Sequence, residues 1–600
     1  MDETERHSRE RGNLLLFSFT LEIASVLCQR TSQLDQSLKM FVKHFLRSAM
    51  TKKRKYLSCN KTNFYFVNCL KINNMIQSYK QQPKLQEVYD TIIIGSGMGG
   101  LATAAILAKE GQKVLVLERH YTAGGFTHVF KRKDYEWDVG IHYIGEMQRE
   151  NSILRKLFNY ISNSELKWAD IGEVYDKIVI GDQHYDFVKG VNNFKKQLIS
   201  YFPEEEQAIH TYVDLVFEAV KTSKNYYMSK AMPPFLEKII GGYLKKPFYK
   251  FADKTTYEVL SSLTKNETLI KVLSGQYGDY GLAPKQSSFY MHASVARHYF
   301  DGGSFPIGGS SQIVKTIAPI VAAAGGTILI NAEVEEVLIE KNTAKGVLMK
   351  DGKKIYAKNI VSNAGIMTTY NKLLPAATVE KHQLKKQLQK VKQSVAHASL
   401  YIGLEGTPEE LQLPKTNYWI YPAEGDHDTC VKNYLEDLSQ PFPVVYLSFP
   451  SAKDPDWSNR YPEKSSIDII TLIPYETFEK WENKPWKKRG AAYEALKEEF
   501  AQRLLNELYK QLPQVKGKIN CYELSTPLST QHFVNYEKGE IYGLDHSPSR
   551  FRQSFLKPRT PIKNFYLTGQ DIVTAGVGGA LFSGVLTAMA ITGKNILKKV

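Results

Sequence analysis

The chain has 600 residues, 43% hydrophobic and 23% charged, a globular rather than disordered composition and long enough for more than one core. Its net charge of +16 is uneven, because residues 1–85 hold 15 Lys or Arg against 6 Asp or Glu. No zinc-ligand spacing, RNA-binding aromatic signature or recognition-helix pattern accompanies that charge, which argues against nucleic acid as a partner. Cys28, Cys59, Cys69, Cys430 and Cys521 are too scattered for a disulfide framework or a metal site and point to a reducing compartment.

Residues 1–74 differ from the rest. Asn13–Leu27 is apolar enough for the core of a signal sequence, but Glu22 interrupts it and the flank before it (Asp2, Glu3, Glu5, Glu10) is acidic. The run is also short for an ordinary membrane-spanning helix. Lys52-Lys53-Arg54-Lys55 reads as a solvated basic cluster. The expectation is a disordered or non-native extension, with Met75 a plausible start and Met75–Val88 a lead into the first core strand. No signal peptide or transmembrane helix is expected, and the expected location is cytoplasmic, with peripheral membrane contact an open option.

From Tyr89 to Gly145 the pattern sharpens. Thr91-Ile92-Ile93-Ile94 suits a strand buried on both faces. Gly95-Ser96-Gly97-Met98-Gly99-Gly100 fits G-x-G-x-x-G, and an Ala- and Leu-rich helix follows from Leu101 to Lys109, stopped by Gly111. Lys113–Leu117 is the second strand, ending at Glu118, which lies 18 residues past Gly100. Gly95 permits the turn out of the strand, Gly97 lets a pyrophosphate approach the backbone, and Gly100 lets helix and strand pack closely. The helix start attracts phosphate through its free N–H groups, and Glu118 stands where an acid bonds a ribose hydroxyl. Together these parts make a dinucleotide site.

Arg119 follows Glu118 at once, and Gly124-Gly125 comes five residues later. This order resembles the amine-oxidase-like flavoprotein superfamily, in which such a glycine pair approaches the FAD phosphates. Trp137-Asp138-Val139-Gly140-Ile141-His142-Tyr143 narrows the resemblance to the branch holding phytoene desaturases, carotenoid isomerases and retinol saturases. The resemblance implies FAD held by Gly95, Gly97, Met98, Gly99, Gly100, Glu118, Arg119, Gly124 and Gly125.

Between 151 and 300, Asp182–Phe187 reads as part of a hairpin, and Glu204–Lys221 as a helix with Ile209, Tyr212, Val213, Val216 and Val220 on its apolar stripe. Residues 228–251 interleave Lys with Phe, Tyr, Ile and Leu, a composition suited either to a basic surface loop or to docking on anionic lipid. From Tyr299 the motifs return. Pro306-Ile307-Gly308-Gly309 opens a helix near Ser310, Gly325-Gly326 precedes a strand leading to Val334, Asp351-Gly352 turns a hairpin, and Ser362-Asn363-Ala364-Gly365 closes the block. By the same resemblance the backbone of Val334 meets the adenine end of FAD.

Residues 371–540 contain a charged helix from about Glu380 to Val391, strand candidates at Val444–Phe449, Ile467–Ile473 and Tyr522–Ser525, and a helix at Glu494–Leu512, with no metal spacing or nucleophile motif. The last block holds Tyr542-Gly543, Arg559-Thr560-Pro561-Ile562, Leu567-Thr568-Gly569-Gln570-Asp571 and Ala575-Gly576-Val577-Gly578-Gly579-Ala580, then a closing helix from about Phe582. It resembles the saturase and isomerase group. The resemblance implies that Gly569 and Asp571 lie by the ribityl chain and Gly576, Val577 and Gly578 by the flavin carbonyl. In many relatives the acid follows the Gly directly, whereas here Gln570 intervenes.

The expected fold is α/β: a discontinuous Rossmann-like FAD-binding domain from 86–165, 299–370 and 541–600, with an inserted α+β substrate domain at 166–298 and 371–540. The expected activity is FAD-dependent oxidation or reduction of C=C bonds in an apolar polyene, a retinoid or carotenoid, with NAD(P)H as a transient electron donor. A carotenoid desaturase or isomerase, an amine oxidase, and a flavin-free binder like the Rab GDP-dissociation inhibitors are the alternatives. No metal is expected. The catalytic residues stay unassigned, with His142, Tyr143, His298 and Tyr299 open to test.

Overall fold

The computed structural model describes residues 75–600. The readings made for residues 1–74, the apolar run at 13–27 and the basic cluster at 52–55 included, lie outside the described residues.

Two large sheets organise the described chain. In the first, Val88–Ile94 lies between Val114–Leu117 and Lys354–Ser362, parallel to both. Thr327–Ile330 extends the sheet past Val114–Leu117, and Phe565–Leu567 pairs with the end of Lys354–Ser362. The β-branched runs explain the placement. Ile92, Ile93, Val114, Leu115, Val116, Ile360 and Val361 are fully buried, as strands covered on both faces require. Thr343–Met349 turns through Asp351-Gly352 into Lys354–Ser362. Met75–Val88 is more than a lead, because Ile76–Ser78 adds a parallel edge strand against Thr327–Ile330.

Two helices from opposite ends of the sequence cover this sheet. Met98–Lys109 packs on Gly576–Thr592 so closely that a Cβ on Gly584 would stand 2.7 Å from that of Ala102. The final helix begins at Gly576, not near Phe582, and Gly576, Val577 and Gly578 form its first turn.

The second sheet runs in the order Ile519–Ser525, His397–Glu405, Lys464–Leu472, Val445–Ser448, Asn417–Tyr421, Val174–Ile180, Gln183–Val188. Strand alternation gives it two unlike faces. Ala398, Leu400, Ile402, Ile467 and Ile469 pack beneath the helix Ala491–Gln511 with Phe500, Leu504 and Leu508. The opposite parity, carrying His397, Ser399 and Asp468, is the polar side.

Three further elements differ from the sequence pattern. The helix expected to end at Lys221 runs Glu206–Ala231. Residues 228–251 form no loop. Pro234–Ala252 is a helix, stacked on its predecessor through Tyr226 and Phe248 rings 3.9 Å apart. The single charged helix at 380–391 is instead two pieces, Ala376–Lys381 and Leu384–Leu388, because Gln383 turns left-handed at φ 50° and lets Leu384 and Leu388 reach the core.

Candidate active site

Both sheets open onto one cavity of about 950 Å³, lined from Gly95 and Gly97 at one extreme to Trp419 and Tyr446 at the other.

The glycine end is built by contact between turns far apart in sequence. A Cβ on Gly99 would lie 2.7 Å from the Gly569 amide nitrogen, and one on Gly125 would lie 2.8 Å from the Gly97 Cα. A Cβ on Gly100 would collide with the Gly95 carbonyl, so this glycine serves strand-to-helix packing. Neither Met98–Lys109 nor Gly576–Thr592 has a side-chain cap, so both helix starts carry uncapped N–H groups toward the cavity. Asn363 sits between the two turns, its amide nitrogen 2.9 Å from a Cβ on Gly97 and its amide oxygen 2.8 Å from one on Gly99 or Gly569. The sequence reading named it only within Ser362-Asn363-Ala364-Gly365 and gave it no role. Only the parallel pairing of Lys354–Ser362 with Val88–Ile94 carries it there, where its N–H donates to the Ile94 carbonyl at 2.8 Å.

Glu118 is buried, and its carboxylate accepts from the Ser96 N–H at 2.9 Å, the Ser96 hydroxyl at 2.7 Å and the His120 N–H at 2.8 Å. The Ser96 oxygen in turn accepts from the Gly124 N–H at 2.9 Å. Ser96, an unread x in the glycine motif, thus ties the acid to the second glycine pair. Arg119 lines the cavity with one guanidinium nitrogen buried and unpartnered. Val334 opens its strand at the cavity wall. Asp571 is buried, and its two oxygens accept the Ile366 N–H at 2.8 Å and the Leu544 N–H at 3.0 Å. It therefore holds the loops after Ser362 and Tyr542 together while facing the cavity.

The far end is aromatic, with buried polar groups beneath. Tyr143 and Tyr299 stack 4.1 Å apart, and the Tyr143 hydroxyl donates to Asp176 at 2.8 Å and lies 3.4 Å from Asp279. Burial, then mutual charge, raises the Asp279 carboxyl well above its usual range; burial also brings Asp176 up to about 6. Lys453 is buried, brought down to about 7 by desolvation, and donates to the His142 carbonyl at 2.9 Å, the Ser448 hydroxyl at 2.8 Å and the Asn417 amide oxygen. His298 accepts from the Gly145 N–H at 2.8 Å, which occupies it structurally. His142 stands at the cavity with no hydrogen bond to its ring. All four residues left open by the sequence line this one cavity.

A nucleotide-type parallel sheet joined to a mixed sheet that closes a long apolar chamber defines a two-part flavoenzyme architecture. The same fold is found in cyclohexylamine oxidase from Brevibacterium oxydans, with 15% sequence identity, a TM-score of 0.55, and 84% of this chain aligned with 98% of that one. The chain matches the family described as flavin containing amine oxidoreductase over residues 98–592, and it belongs to that family. Among its relatives, the all-trans-retinol 13,14-reductase of Danio rerio is 36% identical over 532 residues, 86% of this chain and 87% of that one. The enzyme of the same name from Homo sapiens is 37% identical over the same shares. Family membership makes FAD the implied cofactor, and the cavity fits it: a glycine cradle that side chains would fill, two uncapped helix starts for phosphate, and an unpartnered buried Arg119 nitrogen.

Proposed function

We propose that this chain is a flavin-dependent reductase that adds two hydrogens across a C=C bond of a long apolar polyene, a retinoid or carotenoid. The observation that carries the reading is the continuity of the cavity, in which a phosphate-suited glycine end opens into an aromatic chamber with no wall between. The relatives named for retinol reduction support the substrate class.

In this reading Gly95, Gly97, Met98, Gly99 and Gly100 receive the pyrophosphate on the first helix start, with Gly124 and Gly125 closing over it. Glu118, oriented by Ser96, bonds the adenosine ribose, Arg119 meets phosphate, and Val334 meets the adenine. Gly569 and Asp571 border the ribityl chain, and Gly576, Val577 and Gly578 present N–H groups where reduction builds charge. FAD supplies hydride chemistry when bound. The protein's part is to hold the polyene against it, exclude water, and offer protons from buried carboxyl and phenol groups. With one dinucleotide fingerprint in the chain, electrons come from a transient donor such as NAD(P)H or an external reductant.

A lipid surface is proposed as the route for such a substrate. Phe235, Leu236, Ile239, Ile240 and Tyr243 form an exposed apolar stripe on Pro234–Ala252, with Tyr243 84% exposed and Lys238, Lys246 and Lys250 beside it. The helix it rests on contributes Val220, Tyr227 and Met228 to the cavity wall. Among the described residues no helix is long and apolar enough to cross a membrane.

The test is anaerobic. Flavoprotein reduced with dithionite is mixed with all-trans-retinol or carotenoids while flavin reoxidation and product mass are followed. Reoxidation coupled to a gain of two hydrogens supports the reading. Loss of two hydrogens from a polyene with oxidised enzyme alone would favour a desaturase, and turnover of amines alone an amine oxidase.

A further inference from the structure

Reduction of a C=C bond needs a proton as well as a hydride, and the cavity wall holds one carboxyl group free to give it. Among the described residues five acids line the cavity: Glu118, Glu146, Asp279, Glu333 and Asp571. Four are committed. Glu118 and Asp571 accept backbone N–H groups, Glu333 pairs with Lys350 at 2.8 Å, and Glu146 accepts the Ser152 hydroxyl beside His298. Such partners favour the ionised form. Among the described residues Asp279 has neither an N–H donor nor a cation on its carboxyl group, whose one polar neighbour is the Tyr143 hydroxyl at 3.4 Å.

The hydrogen count at Tyr143 says where the proton is. A phenol carries one hydrogen, and Tyr143 donates it to Asp176 at 2.8 Å. Asp176 also accepts from Gln276 at 2.7 Å and Asn417 at 3.0 Å, which suits a carboxylate. The 3.4 Å contact is then a hydrogen bond only if Asp279 supplies the hydrogen. Two buried carboxyl groups sharing one hydroxyl do not both ionise, and the better-bonded one keeps the charge. Burial and then the Asp176 charge act in that direction, raising the Asp279 carboxyl above its usual range. Placement fits as well. Asp279 ends the single turn Tyr277–Asp279, is partly exposed, and lines the chamber with Tyr143, Tyr299, Tyr446 and Tyr542. The Tyr542 hydroxyl donates to the Gly278 carbonyl at 2.7 Å, and the next residue, Gly543, lies so near Asp571 that a Cβ would collide with its carboxylate. The turn is thereby fastened to the segment that reaches the glycine end.

We propose that Asp279 is the acid that completes the reduction, its O–H bond breaking as a C–H bond forms at the carbon that does not receive hydride, with Tyr143 and Asp176 as its positioning residues. This rests on the reductase reading above. Hydride from the reduced cofactor brings one electron pair and makes one C–H bond. The π pair takes the Asp279 proton and makes the other. The carboxylate left behind regains its proton from water after the product leaves.

The experiment separates transfer from binding. Flavoprotein reduced anaerobically with dithionite is mixed with all-trans-retinol or a carotenoid, and flavin reoxidation is followed through one turnover. Asp279→Asn should slow it about 10²–10⁴-fold, the usual contribution of a positioned acid. Flavin spectrum, melting temperature and quenching of protein fluorescence by the polyene should stay as in the wild type. With no substrate present, the infrared difference between wild type and Asp279→Asn at neutral pH should contain the C=O stretch of a protonated carboxyl. Asp279→Glu keeps the acid and should recover part of the transfer. Reoxidation at wild-type speed in Asp279→Asn overturns the inference, as does a carboxylate band in the difference spectrum. Loss of flavin or of polyene binding in Asp279→Asn that Asp279→Glu does not restore marks a structural group and also overturns it. If the wild type reduces neither polyene, the reductase reading itself falls, and the inference with it.

Discussion

The two ends of the cavity are made differently. The glycine end consists of absences: turns from residues 95–100, 124–125 and 569 approach until a single methyl group would not fit. The chamber end consists of buried polar and aromatic side chains, drawn from strands of the second sheet and the helices over it. A site made of backbone proximity tolerates no added atom, whereas a site made of side chains tolerates exchange and changes its preference instead. Substitutions should therefore abolish function at one end and retune it at the other.

The largest expected effect is at Gly99. Gly99→Val drives its side chain into the Gly569 backbone, so the protein should lose its flavin and its cooperative thermal transition together. Soluble protein with a full flavin spectrum would break the proposed contrast. Gly97→Ala comes next and sharpens it. The added Cβ meets only the Asn363 amide at 2.9 Å, the movable end of a side chain. The fold should survive by circular dichroism while flavin content falls, because the pyrophosphate has no such freedom; undiminished flavin would displace the phosphate site from Gly97.

Asp571→Asn should cost less. An amide has one oxygen where the carboxylate uses two, so the Ile366 or Leu544 N–H is left facing an NH₂, at about 1–3 kcal/mol. A lowered melting temperature with weaker flavin retention is expected, and an unchanged melt would mean that the loops do not depend on it. On the outer surface, Ile239→Glu together with Tyr243→Glu should reduce binding to anionic vesicles at least about tenfold, the scale of removing exposed apolar area from a lipid contact, and leave flavin content intact. Equal vesicle binding would reduce the stripe to solvated surface. Lys245 is the poorer choice for that test, because it is turned inward against Glu237 at 2.8 Å. The smallest effect is expected from a chain beginning at Met75, which keeps the Ile76–Ser78 edge strand and should melt and bind flavin as the full chain does.

The chain's own order determined the glycine end, because its signals are local. Strand, turn, helix and acid follow one another within thirty residues, each legible from residue type and spacing, and the parallel strands and their helices stand where those signals put them. The helix start at Gly576 was hidden because glycine is read as a breaker, although further along the same helix Gly584 packs against Ala102 of Met98–Lys109. Asn363 and Ser96 stood inside quoted motifs, but their roles were hidden because their neighbours are remote strands or side chains that spacing does not encode. The chamber was decided by tertiary structure alone. Asp468, Trp419 and Tyr446 carry no motif and share one face because strand alternation turns the other face of the second sheet into a core; His142, legible in the sequence as part of Trp137–Tyr143, comes to them from outside that sheet.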